Sequence, residues 1–134
     1  MIKQISVFVE NISGSLAAVT RILAAAGINI RAFSVMDTTE FGILRLLVDD
    51  FDNAEKLLKE NGFGMITTDV IGIELEDEPG ALNRVLQLLS GEGYFVNYVY
   101  SMVLRGDKDP LMVLHVEEAK QAEAFLKEKG IRVV

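Results

Sequence analysis

Two short loops carry the residue types that could bind something. Glu10-Asn11-Ile12-Ser13-Gly14-Ser15-Leu16 and Glu76-Asp77-Glu78-Pro79-Gly80-Ala81-Leu82 each follow an alternating apolar stretch and lead into a segment of helical period. A glycine where a helix begins lets a ligand approach the backbone. The unpaired N–H groups and positive dipole end of that helix then favour a carboxylate. Asn11 and Ser13 could equally be ordinary helix caps, and Pro79 suits a first helical turn whatever the function. The chemistry on offer is recognition rather than catalysis.

Other candidate chemistry is thin. Glu76, Asp77 and Glu78 form a carboxylate run, but without the alternating ligands of a calcium loop, so a solvated loop is the expectation. His115 is the single histidine and has no Ser, Cys or Asp partner suggested by motif, which makes it a structural or interface residue. There is no cysteine, hence no disulfide, thiolate nucleophile or Cys-ligated metal, and no metal or cofactor is expected. The formal charge of -7 and the lack of a Lys/Arg cluster oppose nucleic-acid binding. Phe95, Tyr98 and Tyr100 are therefore read as core or interface packing rather than as base-stacking aromatics. The most apolar region is interrupted by Thr20, Arg21 and Asn29 short of a bilayer span, and Met1-Ile2-Lys3-Gln4 begins as a strand, so a cytoplasmic, unprocessed protein without a membrane partner is expected.

The elements that must position the two loops are themselves duplicated. Shifting the chain by 66 positions places Val7 on Ile73, Gly14 on Gly80, Val19 on Val85, Leu23 on Leu89 and Gly27 on Gly93. Later in each half the shift becomes 68, with Ile43 on Leu111, Ala54 on Ala122, Leu58 on Leu126 and Gly62 on Gly130. The second copy has gained two residues in the loop Arg105–Pro110, where the first has Asp37–Gly42. Within a copy, Ile5, Val7 and Val9 alternate as in a strand, and Leu16, Val19, Ile22, Leu23 and Ala26 follow helical spacing. Strands are then predicted at Ile28 to Met36 and Ile43 to Val48, a helix around Ala54 to Leu58, and a closing strand at Phe63 to Thr68. The second copy repeats this with strands at Val70 to Leu75, Tyr94 to Met102 and Leu111 to Val116, helices at Pro79 to Leu89 and Ala119 to Lys129, and a last strand within Ile131 to Val134. The expected fold is α+β: two tandem ferredoxin-like βαββαβ subdomains, 1–69 and 70–134, each an antiparallel sheet with its helices on one face.

The loops then separate this chain from other ferredoxin-like proteins. Asn11, Gly14, Leu16 and Gly27-Ile28-Asn29-Ile30 in the first copy, with Asp77, Pro79, Gly80 and Leu82 in the second, together cover an Asn/Asp-x-Pro-Gly-x-Leu loop, a helix and a Gly-Ile/Val-Asn-Ile strand opening. This resembles the ACT family of regulatory modules that bind amino acids and similar small effectors, and the resemblance spans nearly the whole chain. Ser13 replaces the usual proline in the first copy. Phe95 stands where the second would have the asparagine, with Asn97 two residues later.

The resemblance implies a non-catalytic regulatory sensor that binds a free amino acid at an interface between ACT domains and modulates amino-acid metabolism. The ligand is expected where a first-strand loop meets the opening of the second strand and a neighbouring domain. The ligand's ammonium would go to side-chain oxygens of Asn11, Asn29 or Asp77 and to strand carbonyls. Candidate contacts are Asn11, Ile12, Ser13, Gly14, Ser15, Leu16, Asn29 and Ile30 in the first copy and Asp77, Pro79, Gly80, Leu82 and Asn97 in the second. The first is expected to be the better site because its loop is less acidic. A homodimer is expected, because edge strands and half-apolar sheet faces need cover, and a metabolic enzyme is a further candidate partner. The alternatives are a regulatory small subunit of a biosynthetic enzyme such as acetolactate synthase, or a small enzyme resembling acylphosphatases. The last needs an arginine that neither first-strand loop contains.

Overall fold

The structure is a computed structural model that describes residues 1–38, 40–102 and 109–134. Its elements run β1 (Ile2–Glu10), α1 (Ser15–Ala25), β2 (Ile30–Asp37), β3 (Phe41–Val48), α2 (Phe51–Glu60) and β4 (Gly64–Glu74). They continue with α3 (Ala81–Gly91), β5 (Val96–Ser101), β6 (Leu111–Val116), α4 (Ala119–Glu128) and β7 (Arg132–Val133). The chain divides into two compact units, Lys3–Thr68 and Asp69–Val134 with Met1–Ile2. The boundary falls inside β4, where the closing strand expected at Phe63 to Thr68 runs straight into the opening strand expected at Val70 to Leu75. No glycine or proline stands between Thr68 and Val70 to turn the chain, and a single strand of 11 residues results. Arg105, Gly106, Asp107 and Lys108 of the lengthened loop, with Thr39 of the corresponding first loop, lie outside the described residues.

In the unit Lys3–Thr68 the strand order is β2-β3-β1-β4, the ferredoxin-like arrangement. β1 and β3 are antiparallel with Val7 opposite Leu44, and β2 and β3 are antiparallel with Val35 opposite Leu44. Alternation in β1 sends Ile5 and Val7 to the face covered by α1 and α2. There they meet Val19 and Leu23 of α1 and Leu58 of α2 in one buried cluster. The unit containing Asp69–Val134 repeats the order as β7-β4-β6-β5, with Ile71 opposite Leu114 and Ile73 opposite Val133. Its own cluster buries Ile71 and Ile73 against Val85 and Leu89 of α3 and Leu126 of α4. The residues that the repeat superposes are thus the residues that pack.

The four helices end alike. Gly27, Gly62, Gly93 and Gly130 all have φ between +71° and +83°. At each, the glycine N–H and the next residue's N–H fold back onto carbonyls of the last turn, as in Gly27 N to Ala24 O at 3.0 Å and Ile28 N to Leu23 O at 3.0 Å. This left-handed closure satisfies the orphan carbonyls and swings the chain directly into the next strand.

Because the two clusters share no residue, Leu23→Ala and Leu89→Ala should each cost about 2–5 kcal/mol. The double variant should be additive within about 0.5 kcal/mol. Urea denaturation of the two single variants and the double variant checks this, and a strongly non-additive pair would contradict separate cores.

Candidate functional site

Gly14 (φ 87°, ψ −4°) and Gly80 (φ 89°, ψ −8°) hold the N-cap positions of α1 and α3, and neither helix has a side-chain cap. The first helical bonds are Ala18 N to Gly14 O at 3.0 Å and Arg84 N to Gly80 O at 2.9 Å. Ser15 N and Ala81 N turn back to Ile12 O and Glu78 O, each at 3.3 Å. Among the described residues the N–H groups of Leu16, Ala17, Leu82 and Asn83 have no partner. Helix α2 is built differently, since the carboxylate of Asp50 accepts from Asn53 N at 3.2 Å.

The capping roles open to Asn11 and Ser13 are therefore not taken. A left-handed glycine occupies the N-cap, where an extended Ser or Asn would sit, and carries the preceding side chains away from the helix N–H groups. Pro79 likewise lies before the helix rather than in its first turn, because Gly80 makes the corner after it. What remains at both starts is uncovered backbone N–H at the positive end of a helix dipole.

Asn11 is tied sideways. Its Nδ2 donates to Thr38 O at 2.8 Å, pinning the loop to the tip of the β2–β3 hairpin and leaving Oδ1 as an acceptor. Beside it a cavity of about 270 Å³ is lined by Val9, Glu10, Asn11, Leu16, Val35 and Asp37. Against the same loop a larger cleft of about 370 Å³ is bounded by Phe8, Ile12, Gly14, Ala18 and Phe63. The sequence reading singled out the loop but missed Phe8, Asp37 and Phe63. Phe8 stands on β1 just before the loop, Asp37 reaches the site because the β2–β3 hairpin lies beside β1, and Phe63 because the α2–β4 turn closes on the loop. Gly42 and Gly62 marked those two corners.

The structure does not bring Asn29 to this loop. Asn29 follows the C-terminal end of α1, so a helix of 11 residues, roughly 16 Å long, lies between it and Asn11. Its backbone pairs with the β3–α2 corner, N to Asp49 Oδ1 at 3.0 Å and O from Asp49 N at 3.1 Å, while its side chain is exposed. Ile30 packs against the first core. Leu16, in contrast, is 41% exposed and shares an apolar groove with Phe33 and Val35.

In the second repeat Asp77, Pro79 and Gly80 are exposed, and Leu82 packs against the second core. The ladder register settles the position of Asn97. It sits at the irregularity between Val96 and Tyr98, where the first repeat has Arg31 between Ile30 and Ala32, so Phe95 is the counterpart of Asn29. Phe95 is 74% exposed, which removes it from the core of this chain. Tyr98 stacks on His115, ring centroids 4.9 Å apart, across the β5–β6 pair. The carboxylate run is partly engaged, since Arg84 reaches Glu78 at 3.5 Å. No group of three or more His, Asp or Glu among the described residues is placed to hold a metal ion.

A family model of an ACT domain pair matches residues 1–134. The chain belongs to the ACT family. The crystal structure of a Bacteroides thetaiotaomicron protein is 41% identical, covering 99% of this chain and 91% of that one with a TM-score of 0.92. The ligand-free regulatory subunit of aspartate kinase from Thermus thermophilus shares the fold at 16% identity, covering 94% and 90% with a TM-score of 0.65. The corresponding subunit from Thermus flavus does so at 18% identity, covering 94% and 90% with a TM-score of 0.62. A comparison with curated proteins finds no match. The βαββαβ pair and its glycine-cornered loops are thus those of an ACT pair.

If Gly14 and Gly80 are held left-handed, Gly14→Ala and Gly80→Ala should each destabilise by about 1–2 kcal/mol through backbone strain alone, since no atom lies within 4 Å of either added Cβ. Ser13→Ala should stay within about 0.5 kcal/mol. Urea unfolding distinguishes this from a serine-capped helix, whose loss would cost about 1 kcal/mol.

Proposed function

We propose that the chain is a non-catalytic regulatory sensor that binds a free amino acid through the loop Asn11–Leu16 of its first repeat. In this reading the repeats, 1–69 and 70–134, are the two ACT domains of the pair. The observation that carries it is the uncapped start of α1 beside Asn11: backbone N–H groups stand free at a helix N-terminus, with acceptors close by. A ligand carboxylate would take the N–H groups of Leu16 and Ala17. The ammonium would take Asn11 Oδ1 and the carboxylates of Glu10 and Asp37, which line the adjoining cavity. That donor and acceptor set suits a zwitterion. The regulatory, non-catalytic character of ACT domains supports the reading, as does the fold shared with regulatory subunits of aspartate kinase.

The acylphosphatase-like alternative finds its missing arginine nearby, in Arg84, but that guanidinium is engaged with Glu78. No described helix is long and apolar enough to cross a membrane, and we place the sensor in the cytoplasm with a metabolic enzyme as its downstream partner.

Asn29 enters this reading through self-association. It cannot serve the loop of its own repeat across the length of α1, so a second copy of the chain would have to present it. Phe33 at 56% exposure, Val35 at 48% and Leu16 at 41% form an apolar strip along the edge strand β2 and the adjoining helix, which supports such a homodimer.

A thermal-shift screen of the twenty amino acids should show stabilisation by a small chemical subset, because a ligand at about a hundred times its Kd adds about 2.7 kcal/mol. Calorimetry on the best ligand should then show Asn29→Ala weakening binding about tenfold and Asn97→Ala doing less. Light scattering that found a monomer with Asn29 still required would contradict the shared site.

A further inference from the structure

The two repeats differ sharply at one corner, where the first-strand loop meets the turn into the last strand. In the unit containing Asp69–Val134 this corner is filled by the chain itself. Arg84 of α3 reaches Glu78 at 3.5 Å, and Arg132 of β7 reaches Glu74 at 3.7 Å and Asp109 at 3.2 Å. Only about 80 Å³ of space remains there.

The repeat and the ladder registers identify the counterparts in the unit Lys3–Thr68. Ala18 stands for Arg84 and Gly64 for Arg132, while Phe8, Ile12 and Phe41 stand for Glu74, Glu78 and Asp109. Two cations have become small residues and three carboxylates have become large apolar ones. The result is the cleft of about 370 Å³, within the size range of small-molecule sites. Phe8, Ile12, Ala18 and Phe63 are its apolar walls. The Phe8 ring stands edge-on to Phe41 with centroids 5.9 Å apart, and Gly64 leaves open the space in front of that ring, which a Cβ would approach at 3.8 Å. Ile12 is 65% exposed beside it. Its polar groups are on Glu10, Ser13, Ser15 and Asn61. Apolar surface left uncovered in this way is stabilised by whatever apolar group fills it.

Resting on the reading of the first repeat as an amino-acid site, we propose that this cleft receives the ligand's side chain. The effector class is then the branched aliphatic and aromatic amino acids, and the second repeat is closed to ligand by its own arginines. Val9, Glu10, Ile12 and Ser15 line both the cleft and the smaller cavity beside Asn11, so a carboxylate held at the helix start leaves the side chain free to enter between Phe8, Ile12 and Phe63.

Calorimetry on the full chain, with leucine, isoleucine and phenylalanine against serine, aspartate and lysine, tests this directly. The apolar set should bind at least tenfold more tightly than the polar set. Ala18→Arg, which copies the second repeat's plug, should weaken the apolar ligands tenfold or more while leaving the urea midpoint unchanged. Ile12→Ala, at an exposed position where folding is not at stake, should weaken them about fivefold. Arg84→Ala should leave the affinity of the first repeat's site as it is. A preference for polar amino acids, or apolar binding indifferent to both Ala18→Arg and Ile12→Ala, would overturn the cleft assignment while the sensor reading stood. Absence of binding by every amino acid would overturn both.

Discussion

The site depends on a backbone constraint, the left-handed glycine at the end of each first-strand loop. With φ near +87° at Gly14 and +89° at Gly80, the chain turns from strand into helix within a few residues, and no side chain is carried onto the helix start. Serine or asparagine at that position would have adopted an extended backbone and spent its own oxygen on the first N–H groups. Glycine leaves those groups uncovered, which costs the free protein some helix stability and offers the dipole end to an external anion. Asn11 then fixes the loop's height by bonding to Thr38 rather than to the helix it precedes.

The interior is governed by a different requirement. Val19 and Val85, Leu23 and Leu89, and Leu58 and Leu126 are pairs of identical residues doing the same packing in two separate clusters. Close packing penalises a change of volume at such places, so the repeats agree there. Around the loops no such penalty operates. One repeat has filled its corner with ion pairs and the other with Phe8, Ile12, Ala18 and Gly64. A shared scaffold therefore carries two chemically unlike corners.

A binding step at the α1 start has a physical route to the rest of its unit. The loop is bonded to the β2–β3 hairpin through Asn11, and the far end of α1 is bonded to the β3–α2 corner through Asn29 and Asp49. A ligand that tightens the helix start thus acts on an element held at both ends by polar contacts to the same hairpin. The apolar strip of Leu16, Phe33 and Val35 lies on α1 and β2 of the same unit.

The sequence by itself determined the duplication, the element order and the corners. Period-2 and period-3.6 apolar spacing and recurrent glycines are local signals, and the energy that enforces them is local or is summed over a whole face. It also marked the loops Asn11–Leu16 and Asp77–Leu82 as the chemically interesting segments. It placed Gly14 and Gly80 at the helix entries, but left open whether Asn11, Ser13 or Pro79 took a capping or first-turn role there. Only the tertiary structure decided which residues meet. Phe8 and Phe63 are far apart along the chain and become neighbours of the same loop. Asn11 and Asn29, close in sequence and grouped by motif, end at opposite ends of α1. The physical reason is that a helix is a rigid spacer of 1.5 Å per residue, whereas strand pairing brings distant residues together at contact distance.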